Sequence, residues 1–173
     1  MSAALAFVDI ETTGLQPGYH DVWEVALILR VDGKDSEHVW QLAGVDLAHA
    51  DYTALKIGRF YDRRLGAAEL VAPDVFASGF ARLTADAHIV GAVPSFDVAF
   101  LDKLLRRAHQ CPGWKHRLIC VENLVAGWQR TGVPQSLGDT ATLLGVEVDE
   151  SVRHTALGDA QLARDVYDLV VAS

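Results

Sequence analysis

The chain has 173 residues, half of them hydrophobic and 22% charged, a length that suits one domain and a composition that can fill a core, which excludes disorder over most of its length. Two cysteines, Cys111 and Cys120, exclude a disulfide framework, and no Cys/His spacing suggests zinc. The formal net charge of −8 is uneven: residues 1–51 carry two basic and nine acidic groups, residues 52–130 eleven and seven, and residues 131–173 two and seven. A basic middle third can bind phosphates even in an acidic protein. The start, Met1 to Asp9, has no basic segment of a secretion signal, and no apolar run approaches the ~18–20 residues that span a bilayer. The expectation is a single soluble domain over residues 1–173, cytoplasmic and without membrane association.

Leu5–Ile10 is a short apolar run ending at a carboxylate and reads as a buried strand. Gly14 and Pro17-Gly18 mark a turn, after which Val22–Val31 and Glu37–Leu42 read as strands. Asp32-Gly33 between them is a hairpin signal inside a loop longer than two residues. Residues Ala43 to Ala72 are polar and irregular, with the basic cluster Lys56, Arg59, Arg63 and Arg64. Pro73 opens a helix to about Ala85, followed by a strand at Ala87–Ala92, a helix at Phe96–Ala108 and a strand at Arg117–Val121. Helices near Val121–Arg130, Leu137–Leu144 and Ala156–Val171 complete the chain. Three strands in a meander, then strands alternating with helices, predict an α/β fold with one mixed sheet covered by helices.

Carboxylates interrupt that pattern on faces where apolar residues belong. Asp9 and Glu11 are two apart on a strand and share its face with Leu5 and Phe7. Asp97 heads a helical stripe of Phe100, Leu101, Leu104, Leu105 and Ala108, and Asp159 heads one of Leu162, Ala163, Val166 and Val170. Each has a simpler explanation: Glu11 could lie beyond its strand, while Ser95 and Thr155 could cap helices whose first turns favour acids. Taken together, inward-facing acids without adjacent Lys or Arg would repel one another, and a hard divalent cation held by oxygens, magnesium or manganese, resolves that repulsion.

Phe7-Val8-Asp9-Ile10-Glu11-Thr12-Thr13-Gly14-Leu15 resembles the first motif of the DnaQ-like, DEDD-type 3′–5′ exonucleases. Ser95-Phe96-Asp97-Val98-Ala99-Phe100-Leu101 resembles their second motif, and His154-Thr155-Ala156-Leu157-Gly158-Asp159-Ala160 the third, in the branch with His five residues before the last Asp (DEDDh). The resemblance implies a ribonuclease H-like fold, with a mixed five-stranded sheet flanked by helices and the acids gathered at one sheet edge. It implies two divalent metal ions, Mg²⁺ or Mn²⁺. Asp9, Glu11 and Asp159 would hold one; Asp9 and Asp97 would reach the other. His154 would be the general base, a role that suits imidazole with its unperturbed pKa of about 6.5. Thr12, Thr13, Gly14 and Leu15 would contact the terminal nucleotide. His20 follows them closely, and Glu24 resembles a Glu common in the second strand, with no chemistry assigned. The sequence departs from many relatives at Ala92 and Val93, where His-Asn is usual.

The function expected is a metal-dependent 3′–5′ exonuclease releasing nucleoside monophosphates from single-stranded DNA or RNA 3′ ends, with a lean toward DNA. Lys56, Arg59, Arg63, Arg64, Lys103, Arg106, Arg107, Lys115 and Arg117 could steer the strand. A polymerase or replication partner in trans would be needed for proofreading or DNA repair. The alternatives are an RNA-trimming or oligoribonuclease-like enzyme, a hydrolase of nucleotides, and a non-catalytic nucleic-acid or protein-binding module of the same fold.

Overall fold

The computed structural model describes residues 3–172. Strands β1 (Leu5–Thr12), β2 (Val22–Val31), β3 (Lys34–Gln41), β4 (His88–Gly91) and β5 (Lys115–Cys120) form one sheet in the order β3-β2-β1-β4-β5. The β1–β2 and β2–β3 pairs are antiparallel, and β1–β4 and β4–β5 are parallel, so the sheet is mixed as expected. The helices are α1 (Tyr52–Ile57), α2 (Phe60–Arg63), α3 (Pro73–Leu83), α4 (Pro94–Arg107), α5 (Val121–Trp128), α6 (Leu137–Leu143) and α7 (Ala156–Ala172).

The two-residue period of the strands divides the core. Ala6, Val8 and Ile10 of β1 pack with Val25 and Leu27 against Phe76 and Phe80 of α3 and Leu101 and Leu105 of α4. On the other face, Phe7, Ala26, Ile28 and Val90 meet Val125 of α5 and Ala160, Ala163 and Val166 of α7. Asp9 and Glu11 therefore emerge on the α7 side, in line with Phe7. A third cluster of Trp23, Leu55 and Phe60 seats α1 and α2 at the site end of β2.

Four expectations change. The hairpin loop is two residues long: Val31 pairs with Lys34, and Asp32 and Gly33 take positive φ of 49° and 76°, the backbone of a tight primed turn. The strand after it starts three residues earlier than its apolar pattern because Lys34–Ser36 lie exposed on an edge strand, where apolar alternation is not required. Residues 43–72 contain α1 and α2. Asp51 caps α1 through an oxygen that accepts from the Thr53 N–H at 2.7 Å, but only Leu55 is buried, so no helical stripe marks it in sequence. Finally, α4 begins at Pro94 with Val93 as its N-cap, so Ser95 lies inside the helix and does not cap it. No helix among the described residues is long and apolar enough to cross a membrane.

Candidate active site

β1 carries the first two acids to the end of the sheet, with Asp9 opposite Ala26 and Glu11 opposite Glu24 of β2. The register shifts between Glu11 and Thr12, and the chain then turns. Thr12 and Thr13 are buried, and their hydroxyls shape the loop: Thr12 Oγ1 donates to the Gly14 carbonyl at 2.7 Å, and Thr13 Oγ1 accepts from the Asp21 N–H at 2.9 Å. The His20 ring packs over Gly14, where an added Cβ would lie 2.4 Å from it, so a larger residue would have to displace the ring. Its Nδ1 accepts from the Gln16 N–H at 3.0 Å. Leu15 alone of the four expected contacts projects into solvent, 72% exposed.

β4 runs parallel to β1 and delivers the second motif. Gly91 passes so close to β1 that a Cβ there would lie 3.0 Å from the Val8 carbonyl oxygen. The chain turns into α4 and sets Asp97 in its first turn, buried, its carboxylate accepting from the N–H groups of Ile10 and of Asp97 itself. Of the residues that replace the usual His-Asn, Ala92 packs on the α7-side core and Val93 is 51% exposed.

α7 supplies the third. Thr155 Oγ1 accepts from the Gly158 N–H at 3.0 Å, the cap expected of it, and Asp159 follows in the first turn. His154 stands just before, its side chain 52% exposed and its Nδ1 3.9 Å from Asp159 Oδ2. Its backbone takes a positive φ of 56°.

The four acids share one electrostatic neighbourhood. Burial raises the pKa of Asp9 well above the ordinary carboxylate value, and Asp97, Asp159 and Glu11 each push it further, with only Arg153 opposing. Glu11 is raised to about 8, by burial first and then by Glu24. Burial pushes Asp97 up to about 7 against the two backbone N–H groups that favour its charge. Asp159 is raised by burial, with Arg153 and His154 working the other way. Carboxylates this congested cannot all ionise without positive charge between them.

An all-oxygen set of this kind fits a hard divalent cation. Among the described residues, however, no three such groups stand close enough together to enclose an ion. Arg153 explains part of that arrangement: its Nη1 donates to Asp159 Oδ1 at 2.6 Å, so a guanidinium compensates one of the four charges.

Of the expected strand-steering cluster, Arg59, Arg63 and Arg64 are half-buried and turned inward, while Lys56, Lys103, Arg106, Arg107, Lys115 and Arg117 stay exposed. Arg63 pairs with Glu24, Arg59 Nη2 donates to the Ser151 carbonyl at 3.0 Å, and Arg64 reaches the carbonyls of Trp23 and Leu42. Arg106 pairs with Asp102, Lys115 with Asp86, and Lys103 Nζ donates to the Pro17 carbonyl. Arg153 escaped the sequence reading, and Arg63 and Glu24 were named there without their bond to each other, Arg63 as a strand-steering cation and Glu24 with no chemistry assigned. Only Glu24 had a signal, since pairing the first two strands in register sets it beside Glu11.

The family model RNase_T, described as Exonuclease, matches residues 6–167. A comparison with curated proteins gives no match. Among solved structures, the chain resembles exonuclease I with a TM-score of 0.80 and 18% identity, covering 99% of this chain and 41% of that one. E. coli exonuclease I in complex with a dT13 oligonucleotide gives 0.76 and 18%, covering 98% and 41%. A complex of exonuclease I with SSB-Ct gives 0.74 and 17%, covering 99% and 42%. The chain thus spans less than half the length of these proteins, and at such identity the likeness is one of fold. With the family model matched across nearly the whole sequence, the chain belongs to the exonuclease family of DnaQ-like 3′–5′ exonucleases, in the ribonuclease H-like superfamily.

Proposed function

We propose that the chain removes nucleotides from the 3′ ends of single-stranded nucleic acid, DNA in preference to RNA, and releases nucleoside monophosphates. The observation that carries this reading is the match of the exonuclease family model to residues 6–167, and the charge of Glu11, Asp97 and Asp159 acting on the buried Asp9 supports placing the chemistry there. Exonuclease I has been solved with DNA oligonucleotides, which supports DNA as the polymer here. It has also been solved with SSB-Ct, which supports a protein partner in trans for this chain as well.

In this proposal Asp9, Glu11, Asp97 and Asp159 are the residues that would hold two divalent ions, magnesium or manganese, which when bound would neutralise charge developing on the reacting phosphate. The protein's own groups do the rest. His154, whose Nδ1 faces Asp159, leaves Nε2 to take a proton from the attacking water. The water oxygen bonds to phosphorus as the bond to the 3′ oxygen breaks, and that oxygen takes a proton from solvent, so the shortened strand keeps a 3′ hydroxyl. Leu15, exposed at the end of a loop fixed by Thr12, Thr13 and Gly14, would lie against the terminal nucleotide.

The test is digestion of 5′-labelled single-stranded DNA and RNA in Mg²⁺ or Mn²⁺. The expected result is a ladder shortening from the 3′ end, faster on DNA, and lost in EDTA and in Asp9→Ala. His154→Ala should slow it by about 10²–10⁴-fold. A faster RNA ladder would reassign the polymer. No ladder from folded protein would leave a binding module of the same fold.

A further inference from the structure

Glu24 sits on β2 opposite Glu11 and is only 4% exposed, a place where an unpaired carboxylate is costly. Both of its oxygens are engaged. Oε1 accepts from Gln41 Nε2 at 3.0 Å, and Oε2 accepts from the Arg63 guanidinium and from the Ala156 N–H at 3.1 Å. Ala156 is the first residue of α7, two positions after His154.

Arg63 extends the same hold to the other side of the histidine. Its Nη1 donates to the Gly58 carbonyl at 2.7 Å and to the His154 carbonyl at 3.2 Å. Arg59 grips the loop one step earlier, through the carbonyls of Ser151 at 3.0 Å and Arg153 at 3.3 Å. Gln41 closes the frame around α2: its Nε2 also donates to the Arg63 carbonyl at 3.1 Å, and its Oε1 accepts from the Leu65 N–H at 2.9 Å.

His154 is therefore fixed by its own carbonyl and by the amide two residues on. Its positive φ makes this necessary, because a non-glycine residue keeps a left-handed backbone only where its surroundings determine it. Arg63 is directed inward, its guanidinium 5.1 Å above the buried Trp23 ring.

We propose that Glu24 and Arg63 are positioning residues for His154: a charge bridge from the second strand to α2 that sets the backbone from which the imidazole projects. The inference rests on His154 being the base of the reaction. Neither residue touches the substrate. Their effect passes through the histidine and belongs to turnover rather than to strand affinity.

The test measures kcat and KM on a single-stranded DNA oligonucleotide with Mn²⁺ for Arg63→Met, Arg63→Lys, Glu24→Gln, His154→Ala and the double variant Arg63→Met/His154→Ala. Amide hydrogen exchange at Ala156 by NMR supplies a readout apart from activity. Arg63→Met should lower kcat by about 10–100-fold with KM within about threefold. In the His154→Ala background the same change should cost less than about twofold, because residues that act as a unit are not additive. Glu24→Gln should speed exchange at Ala156, and Arg63→Lys should recover part of the kcat lost in Arg63→Met. Arg63 lies on a short surface helix, so its variants decide the matter if Glu24→Gln fails to fold. A slow His154→Ala with a fully additive Arg63→Met loss would overturn this inference alone. So would a raised KM at intact kcat. Wild-type turnover in His154→Ala would overturn the base reading, and the inference with it.

Discussion

Glu11 and Asp97 keep protons that water would strip from them, Glu11 up to about pH 8 and Asp97 up to about pH 7. Their ordinary values are 4.5 and 3.8, so the folded state binds more protons than the unfolded chain between these limits. The stability they contribute is complete below about pH 4 and is lost as pH rises through 7 and 8. The metal-free protein should therefore melt at lower temperature at pH 8 than at pH 5.5. Asp97→Asn should restore about 1–3 kcal/mol at pH 8 while abolishing activity. Calorimetry in EDTA checks both, and an equal melting temperature at the two pH values would contradict them. At this scale the four acids stood out in the sequence because inward carboxylates break an apolar period, whereas His154 was named only through the resemblance of its motif. The sequence could not disclose the bonds around them. Glu24 bonds to Arg63, 39 residues away, and to Ala156, 132 residues away, and no local pattern records such pairings.

Among the elements, α7 has the tightest beginning. A Cβ at Gly158 would lie 2.2 Å from the Val152 carbonyl oxygen and 2.9 Å from Thr155 Oγ1, the atom that caps the helix. Gly158→Ala must push back the loop that carries Arg153 and His154. It should cost about 1–3 kcal/mol and lower kcat, read by denaturant unfolding alongside turnover. Gly79, in the middle of α3, has open space around its missing Cβ, so Gly79→Ala should stabilise the protein by about 0.5–1 kcal/mol. The long elements were legible because burial repeats along them: β2 was read at its full extent, and α3, α4 and α7 lay within two residues of their expected starts. Segment 43–72 was not, because α1 and α2 are only six and four residues long and each buries one side chain, Leu55 and Phe60, too few to make an apolar stripe.

Across the molecule, the basic third divides into cations that bind the protein and cations left for a polyanion. Arg64 reaches two backbone carbonyls and lies over the Phe60 ring, whereas Arg107 is exposed at the end of α4. Arg64→Ala should lower the melting temperature and leave the salt dependence of DNA binding unchanged. Arg107→Ala should do the reverse and reduce the salt slope by about 0.7 for one phosphate contact on a single strand. Titrations of oligonucleotide affinity against salt separate the two. Identical slopes for both variants would remove Arg107 from the strand's path.

Trp23 lies at the junction of these parts. Its ring packs edge-on to Phe60 at 5.2 Å, its Nε1 has no hydrogen-bond partner among the described residues, and the Arg63 guanidinium rests 5.1 Å above it. An indole so placed emits in the blue and is sensitive to a cation moving across its face. With Trp40, Trp114 and Trp128 replaced by phenylalanine, its fluorescence lifetime would follow the grip of Arg63 in real time, so the molecule carries an optical gauge beside its own histidine.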